Sequence, residues 1–156
     1  MTTSIRHESP QAAWDALVRG NNRFVTGAPA HPRQDIERRE ALAAKQKPFA
    51  AVFGCADSRL SAEIIFDVGL GDLFVVRNAG QVIAETIIGS LELSVEVLGV
   101  PLILVLGHDE CGAIRATIDA TAGTLRSEGE FIHNLVERIR PTVTAANQAG
   151  KFEIDD

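Results

Sequence analysis

Two short segments of the chain carry side chains that could bind a metal ion. The sequence is GCADSR at residues 54–59 and GHDECG at residues 107–112, and each segment follows an apolar run. Together they provide two thiols, one imidazole and one carboxylate, from Cys55, Cys111, His108 and Asp57. These are the ligand types that hold zinc in proteins.

The spacing within each segment favours a common site. Cys55 and Asp57 are two residues apart at a predicted strand end, so both side chains can point the same way. His108 and Cys111 are three residues apart at a predicted helix start, so they can share one face. Taken singly, His108 is typical of a satisfied core histidine and Asp57 of a helix N-cap. Their occurrence together favours the metal site.

Composition is that of a globular protein of about one domain. Of the 156 residues, 46% are hydrophobic and 23% are charged, a balance that supports a real core. The net charge of −6 argues against nucleic acid as a partner, because nucleic-acid binding needs a basic face.

The first ten residues lack the apolar core of a secretory signal, and no apolar run approaches the roughly 18 residues of a membrane span. We therefore expect a cytoplasmic protein with no membrane partner. Its two cysteines both lie in the candidate motifs. A disulfide or two inert buried thiols are alternatives, but cysteines beside Asp and His in an intracellular chain favour metal.

Apolar runs alternate with helical periodicity along the chain. Buried strands are predicted at residues 49–53, 73–76 and 101–106. Helices are predicted from Pro10 to near Gly20, at residues 36–45, 61–67, 82–98 and 111–120, and from about residue 131 to before Gly150 with an interruption at Pro141.

This alternation predicts an α/β fold with a central, mainly parallel β-sheet flanked by helices and an N-terminal helical arm. We expect residues 1–48 to form the arm, packed on the core or on a second subunit, and residues 49–156 to form the zinc-binding catalytic core. Ligands bind beyond the carboxyl ends of strands in such sheets. All four candidate ligands fall at that edge.

The motifs CADSR at residues 55–59 and H-x-x-C at residues 108–111 resemble those of the beta class of carbonic anhydrases of bacterial type. The similarity continues through GNNRF at residues 20–24, QKP at 46–48 and GDLFVVRN at 71–78. The resemblance implies reversible hydration of carbon dioxide to bicarbonate and a proton by hydroxide bound to zinc, with one zinc ion per chain.

Individual roles also follow from the resemblance. It implies that Cys55, His108 and Cys111 are permanent zinc ligands. Asp57 either binds as a fourth ligand or pairs with Arg59 and leaves that position open to water. In the open form, Asp57 accepts a hydrogen bond from the hydroxide.

The resemblance further implies a substrate pocket. Gln46 corresponds to the family's substrate-orienting glutamine, and Phe74, Ala79 and Leu93 correspond to pocket positions. In the family this pocket lies at a dimer interface, so the resemblance implies a homodimer or a dimer of dimers.

The chain departs from the family pattern in three places. Leu93 stands where a tyrosine is common, and this chain contains no tyrosine. Gln81 stands where asparagine is expected after Ala79 and Gly80, and it could perturb the local turn. The C-terminal segment that family members usually carry is also absent from the sequence. Two alternatives stay open. One is a zinc protein that is closed by Asp57 and inactive. The other is a hydrolase of carbonyl sulfide or carbon disulfide on the same scaffold, which the motifs do not distinguish.

Overall fold

The computed structural model describes residues 9–126 and 129–150. The helices and strands in these residues are α1 (Pro10–Val25), α2 (Ile36–Leu42), β1 (Ala50–Cys55), α3 (Ala62–Ile65), β2 (Leu73–Asn78), α4 (Glu85–Glu96), β3 (Ile103–Leu106), α5 (Gly112–Thr121) and α6 (Glu130–Gln148). A single 3-10 turn, Ala79–Gln81, follows β2 and is called the 79–81 turn below. None of the described helices is both long and apolar enough to cross a membrane.

Within the described residues the strands form one sheet in the order β2-β1-β3. β1 and β3 are parallel, with Ala51 opposite Ile103 and Gly54 opposite Leu106. Every residue of the central strand β1 is buried. The predicted parallel sheet flanked by helices is therefore confirmed.

The predicted burial of β3 is wrong. Ile103 is 40% exposed and Val105 is 63% exposed. These residues are two apart and share one face of β3, which the described residues leave uncovered. A run of apolar residues indicates a strand that could be covered on both faces. The apolar run does not show whether other described residues cover both faces of that strand.

Helix α1 begins as predicted but ends later. The Ser9 side chain accepts a hydrogen bond from the Ala12 N–H, and Pro10 occupies the first helical turn. The predicted end near Gly20 is wrong, since the helix continues to Val25. A Cβ atom on Gly20 would lie 1.7 Å from the carbonyl oxygen of Phe66, so this glycine permits a close backbone approach instead of ending the helix.

The described chain divides into two compact units. The first unit contains the residues up to Gly54 together with Ser58–Arg77 and Ile83–Leu106. Its main apolar cluster contains Leu17 of α1 and Val52 of β1, both almost fully buried. Helix α1 is thus part of the core of this unit.

Two buried carboxylates of the first unit fix the irregular segment after α1. Asp67 accepts hydrogen bonds from the backbone N–H groups of Ala30 and His31 and pairs with Arg23. Asp72 pairs with both Arg33 and Arg38. Since each buried charge has a cationic partner, the cost of its burial is offset.

The second unit contains Cys55–Asp57, Asn78–Val82 and the residues from Gly107 onward. Within it α5 packs against α6. The predicted interruption at Pro141 is wrong, because α6 continues through this residue to Gln148. All three residues of the metal-ligand group described next belong to this unit.

Candidate metal centre

Cys55, His108 and Cys111 come together in the second unit. One potential ligand atom from each residue lies within 4.8 Å of the others. The two sulfur atoms are 3.9 Å apart, and both cysteines are free. Two thiolates bound at about 2.3 Å to one tetrahedral zinc ion would lie roughly 3.8 Å apart. The spacing therefore fits a shared zinc ion and excludes a disulfide in this structure.

The orientation of His108 also fits a metal ligand. Its Nδ1 atom lies 2.7 Å from the carbonyl oxygen of Asp109, to which it donates as N–H. Its Nε2 atom is buried and makes no hydrogen bond with the described residues. A proton on Nδ1 leaves the Nε2 lone pair available for a metal, which is the usual arrangement of zinc-bound histidine.

The backbone places these three side chains at element ends. Cys55 is the last residue of β1, and Cys111 is the N-cap residue of α5. The prediction that Cys111 begins the helix is off by one residue, so His108 to Cys111 lie before α5, with a bend at Asp109 and Glu110. Glu110 has φ +54° there, an uncommon conformation for a residue with a side chain.

Several neighbours of the Cys55 sulfur favour its thiolate. The Gly80 N–H donates to this sulfur over 3.4 Å. Burial alone would raise the pKa of the Cys55 thiol, but His108, the backbone N–H groups of Gly80 and Asp57, and Cys111 lower that pKa to about 7. The thiolate is the form that binds metal.

The pKa of the neighbouring His108 imidazole is raised, whereas that of Cys55 is lowered. The Cys55 side chain raises the pKa of His108 above its usual value, the Asp109 carbonyl and the Asp57 charge add to the effect, and burial opposes it. Without a metal, this pair therefore favours a thiolate beside an imidazolium. A zinc ion would take the place of the imidazolium proton on Nε2.

The other predicted site residues lie outside this three-ligand group. Asp57 belongs to the same unit and is partly buried, and Ala79 is exposed in the 79–81 turn. The remaining four belong to the first unit, with Phe74 partly buried and the others exposed: Gln46, Arg59, Phe74 and Leu93. Their roles remain predictions.

Sequence reasoning missed two backbone groups that act on the ligands. These are the Asp109 carbonyl at His108 and the Gly80 N–H at Cys55. The signal for the second was Gly80 itself, whose φ of +70° is a conformation that glycine adopts readily. A cavity of about 310 Å³ also borders the ligands and is lined by His108, Glu110, Cys111, Gly112, Ile114, Arg115 and Ile118.

The chain is similar to known proteins over most of its length. A family model described as "Carbonic anhydrase" matches residues 50–155. The chain belongs to the carbonic anhydrases. Carbonic anhydrase 2 of Mycobacterium tuberculosis is 54% identical over 149 residues, covering 95% of this chain and 71% of the relative. The carbonic anhydrase of Mycolicibacterium smegmatis is 52% identical over 154 residues, covering 96% and 72%.

Solved carbonic anhydrases of the beta class share the fold. The Coccomyxa beta-carbonic anhydrase in complex with acetazolamide superimposes with a TM-score of 0.64 at 26% identity, covering 90% of this chain and 62% of that one. The beta-carbonic anhydrase CcaA gives a TM-score of 0.65 at 24% identity, covering 90% and 69%. The fold of the chain is therefore that of the beta-class carbonic anhydrases.

Proposed function

We propose that this chain catalyses the reversible hydration of carbon dioxide to bicarbonate and a proton at one zinc ion per chain. The observation that carries the proposal is the three-ligand group of Cys55, His108 and Cys111, with a buried Nε2 atom oriented as a ligand. Family membership supports the same reaction.

The two thiolates and the Nε2 atom of His108 would hold the ion. A zinc ion supplies Lewis acidity, which lowers the pKa of water so that hydroxide is available near neutral pH. Two thiolates match the ion's charge of +2, so we expect a weaker acidifying effect than with three neutral imidazoles. Three protein ligands leave one tetrahedral position for the reaction.

Other residues would orient the reactants. Asp57, paired with Arg59, accepts a hydrogen bond from the attacking oxygen and keeps a lone pair directed at the substrate carbon. Gln46 donates an amide hydrogen to a substrate oxygen, and Phe74, Ala79 and Leu93 line the apolar side of the pocket. These assignments rest on the match of each residue to the family's motifs.

A homodimer or dimer of dimers is also part of the proposal. Apolar side chains are exposed at the end of α1, just after α4 and on β3. Examples are Val25, Val97 and Val105, which are 72%, 70% and 63% exposed. Surface of this kind is usual where subunits associate. Two fungal beta-carbonic anhydrases with this fold are described as tetrameric. We place the enzyme in the cytoplasm, where thiols stay reduced and able to bind metal.

Stopped-flow carbon dioxide hydration by zinc-loaded protein tests the function. We expect rapid turnover that increases with pH, and loss of both zinc and turnover in Cys111→Ser. His108→Gln should also lose zinc. Its matched control is His133→Gln, which removes an exposed histidine of α6 and should retain zinc. Turnover by Cys111→Ser equal to that of the parent chain would contradict the proposal.

The same measurement distinguishes the proposed enzyme from an inactive zinc protein whose site is closed by Asp57. A site closed by Asp57 would contain one zinc ion per chain and show no turnover at any pH. Replacing Asp57 with Asn would then leave the zinc exchangeable. If Asp57 acts on the attacking oxygen instead, Asp57→Asn retains zinc and loses turnover.

A further inference from the structure

The backbone N–H of Gly80 is held against the Cys55 sulfur by contacts on several sides. The Asn78 side chain closes the 79–81 turn with two hydrogen bonds to the backbone of Val82. Asn78 Nδ2 donates to the Val82 carbonyl oxygen at 2.7 Å, and the Val82 N–H donates to Asn78 Oδ1 at 2.8 Å. The Asn78 carbonyl in turn accepts the Ala56 N–H at 2.8 Å. The turn is therefore fixed to the residue that follows Cys55.

Helices α5 and α6 lie close to this turn at Gly80. A Cβ atom on Gly80 would lie 2.9 Å from the Cβ of Ala113 in α5 and 2.7 Å from the Cδ1 of Ile139 in α6. Ile139 is only 5% exposed, so its side chain has little room to move away. Both packing and a φ of +70° therefore restrict this position to glycine.

We propose that Ile139 and Ala113 are positioning residues that hold the Gly80 N–H on the Cys55 sulfur and thereby set how strongly this thiolate donates electrons to zinc. An N–H···S hydrogen bond withdraws electron density from a thiolate, and outer hydrogen bonds of this kind tune a metal site. The inference rests on the proposed zinc site. It assigns to α6, which provides no ligand, a role in the electronic properties of the centre.

Cobalt(II) in place of zinc makes the effect visible, since zinc has a filled d shell and no comparable spectrum. In the full chain loaded with cobalt, we expect sulfur-to-cobalt charge-transfer bands that move to longer wavelength in Gly80→Ala and in Ile139→Val. Ile139→Val removes the methyl group nearest Gly80 and changes little else. Chelator competition should show metal affinity about tenfold weaker in Gly80→Ala, because the displaced turn no longer holds Cys55 in place for the metal.

Two matched controls separate this role from general packing. Gly123→Ala imposes a similar backbone strain, because Gly123 has φ +75°, but a Cβ there meets nothing within 4 Å. Val143→Ala truncates a residue of α6 that is as buried as Ile139, at 5% exposure. Both controls should leave the charge-transfer bands unchanged.

The outcomes are distinguishable. Absence of thiolate-to-cobalt bands in the parent chain would overturn the zinc site itself. Normal bands in the parent with no shift in Ile139→Val would overturn the positioning role, even if Gly80→Ala fails to fold. An equal shift in Val143→Ala would overturn it as well.

Discussion

The sulfur atoms of Cys55 and Cys111 lie 3.9 Å apart although the two residues are 56 positions apart in the chain. The distance is close to that between two thiolates on one zinc ion and about 1.9 Å longer than a disulfide bond. A zinc ion bound by both residues would therefore keep apart two thiols that are near enough to react with each other.

Removal of zinc should make this pair sensitive to oxidation. Mild peroxide takes two electrons and two protons from the thiols of the zinc-free protein, forms a Cys55–Cys111 disulfide and is reduced to water. We expect thiol titration to fall from two groups per chain to none, and zinc rebinding to require a reductant. Zinc-loaded protein should retain both thiols, and Cys111→Ser should form no disulfide within the chain. Two titratable thiols after treatment of the zinc-free protein would contradict this prediction.

Alanine at two helical glycines should have opposite effects on stability. Gly89 lies inside α4 with nothing within 4 Å of an added Cβ, so Gly89→Ala should stabilise by roughly 0.5–1 kcal/mol through helix propensity. Gly20→Ala in α1 meets the Phe66 carbonyl oxygen and should destabilise by roughly 1–3 kcal/mol. Urea unfolding of both variants measures the difference, and a stabilised Gly20→Ala would show that the two backbones are not in close contact.

Asp67 should contribute stability that depends on pH. Burial alone would raise the pKa of its carboxyl, but the N–H groups of Ala30 and His31 and the Arg23 guanidinium lower that pKa below the usual value. Its contribution is therefore complete above the unfolded pKa, near pH 4, and is lost as pH falls through the lower folded pKa.

Asp67→Asn tests this relation. The variant should lower the free energy of unfolding by about 1–3 kcal/mol at pH 7, with the difference narrowing below about pH 4. Glu137→Gln is the control, because it removes an exposed partner of Arg140 on α6 and should change little. A difference between Asp67→Asn and the parent that stays constant down to pH 3 would argue against the lowered pKa.

The ligand group was predictable from the sequence because its chemistry depends on residue type and strand position. Cys55 and His108 each follow a strongly apolar run, and parallel strands bring their carboxyl ends to one edge. The sequence was less informative where the role of a residue depends on a contact with a residue distant in the chain. In the sequence, Gly20 is typical of a helix end. In the structure, a glycine is needed there because the Phe66 carbonyl oxygen leaves no room for a Cβ atom.

The burial of β3 could not be predicted for a similar physical reason. Val105 has the same apolar character as the residues of β1, but only the folded structure shows that its face of β3 is left uncovered by the described residues. The contact of Gly80 with Ile139 depends in the same way on packing between residues distant in sequence.

The pairing of Gly54 with Leu106 has a further consequence for folding experiments. A slip of one residue between β1 and β3 would move Cys55 about 3.3 Å along its neighbour and reverse the face on which side chains meet. Molecules refolded in that arrangement could have normal helical content by circular dichroism and still fail to retain zinc. Zinc content after refolding would therefore report the fraction of molecules with correctly aligned strands.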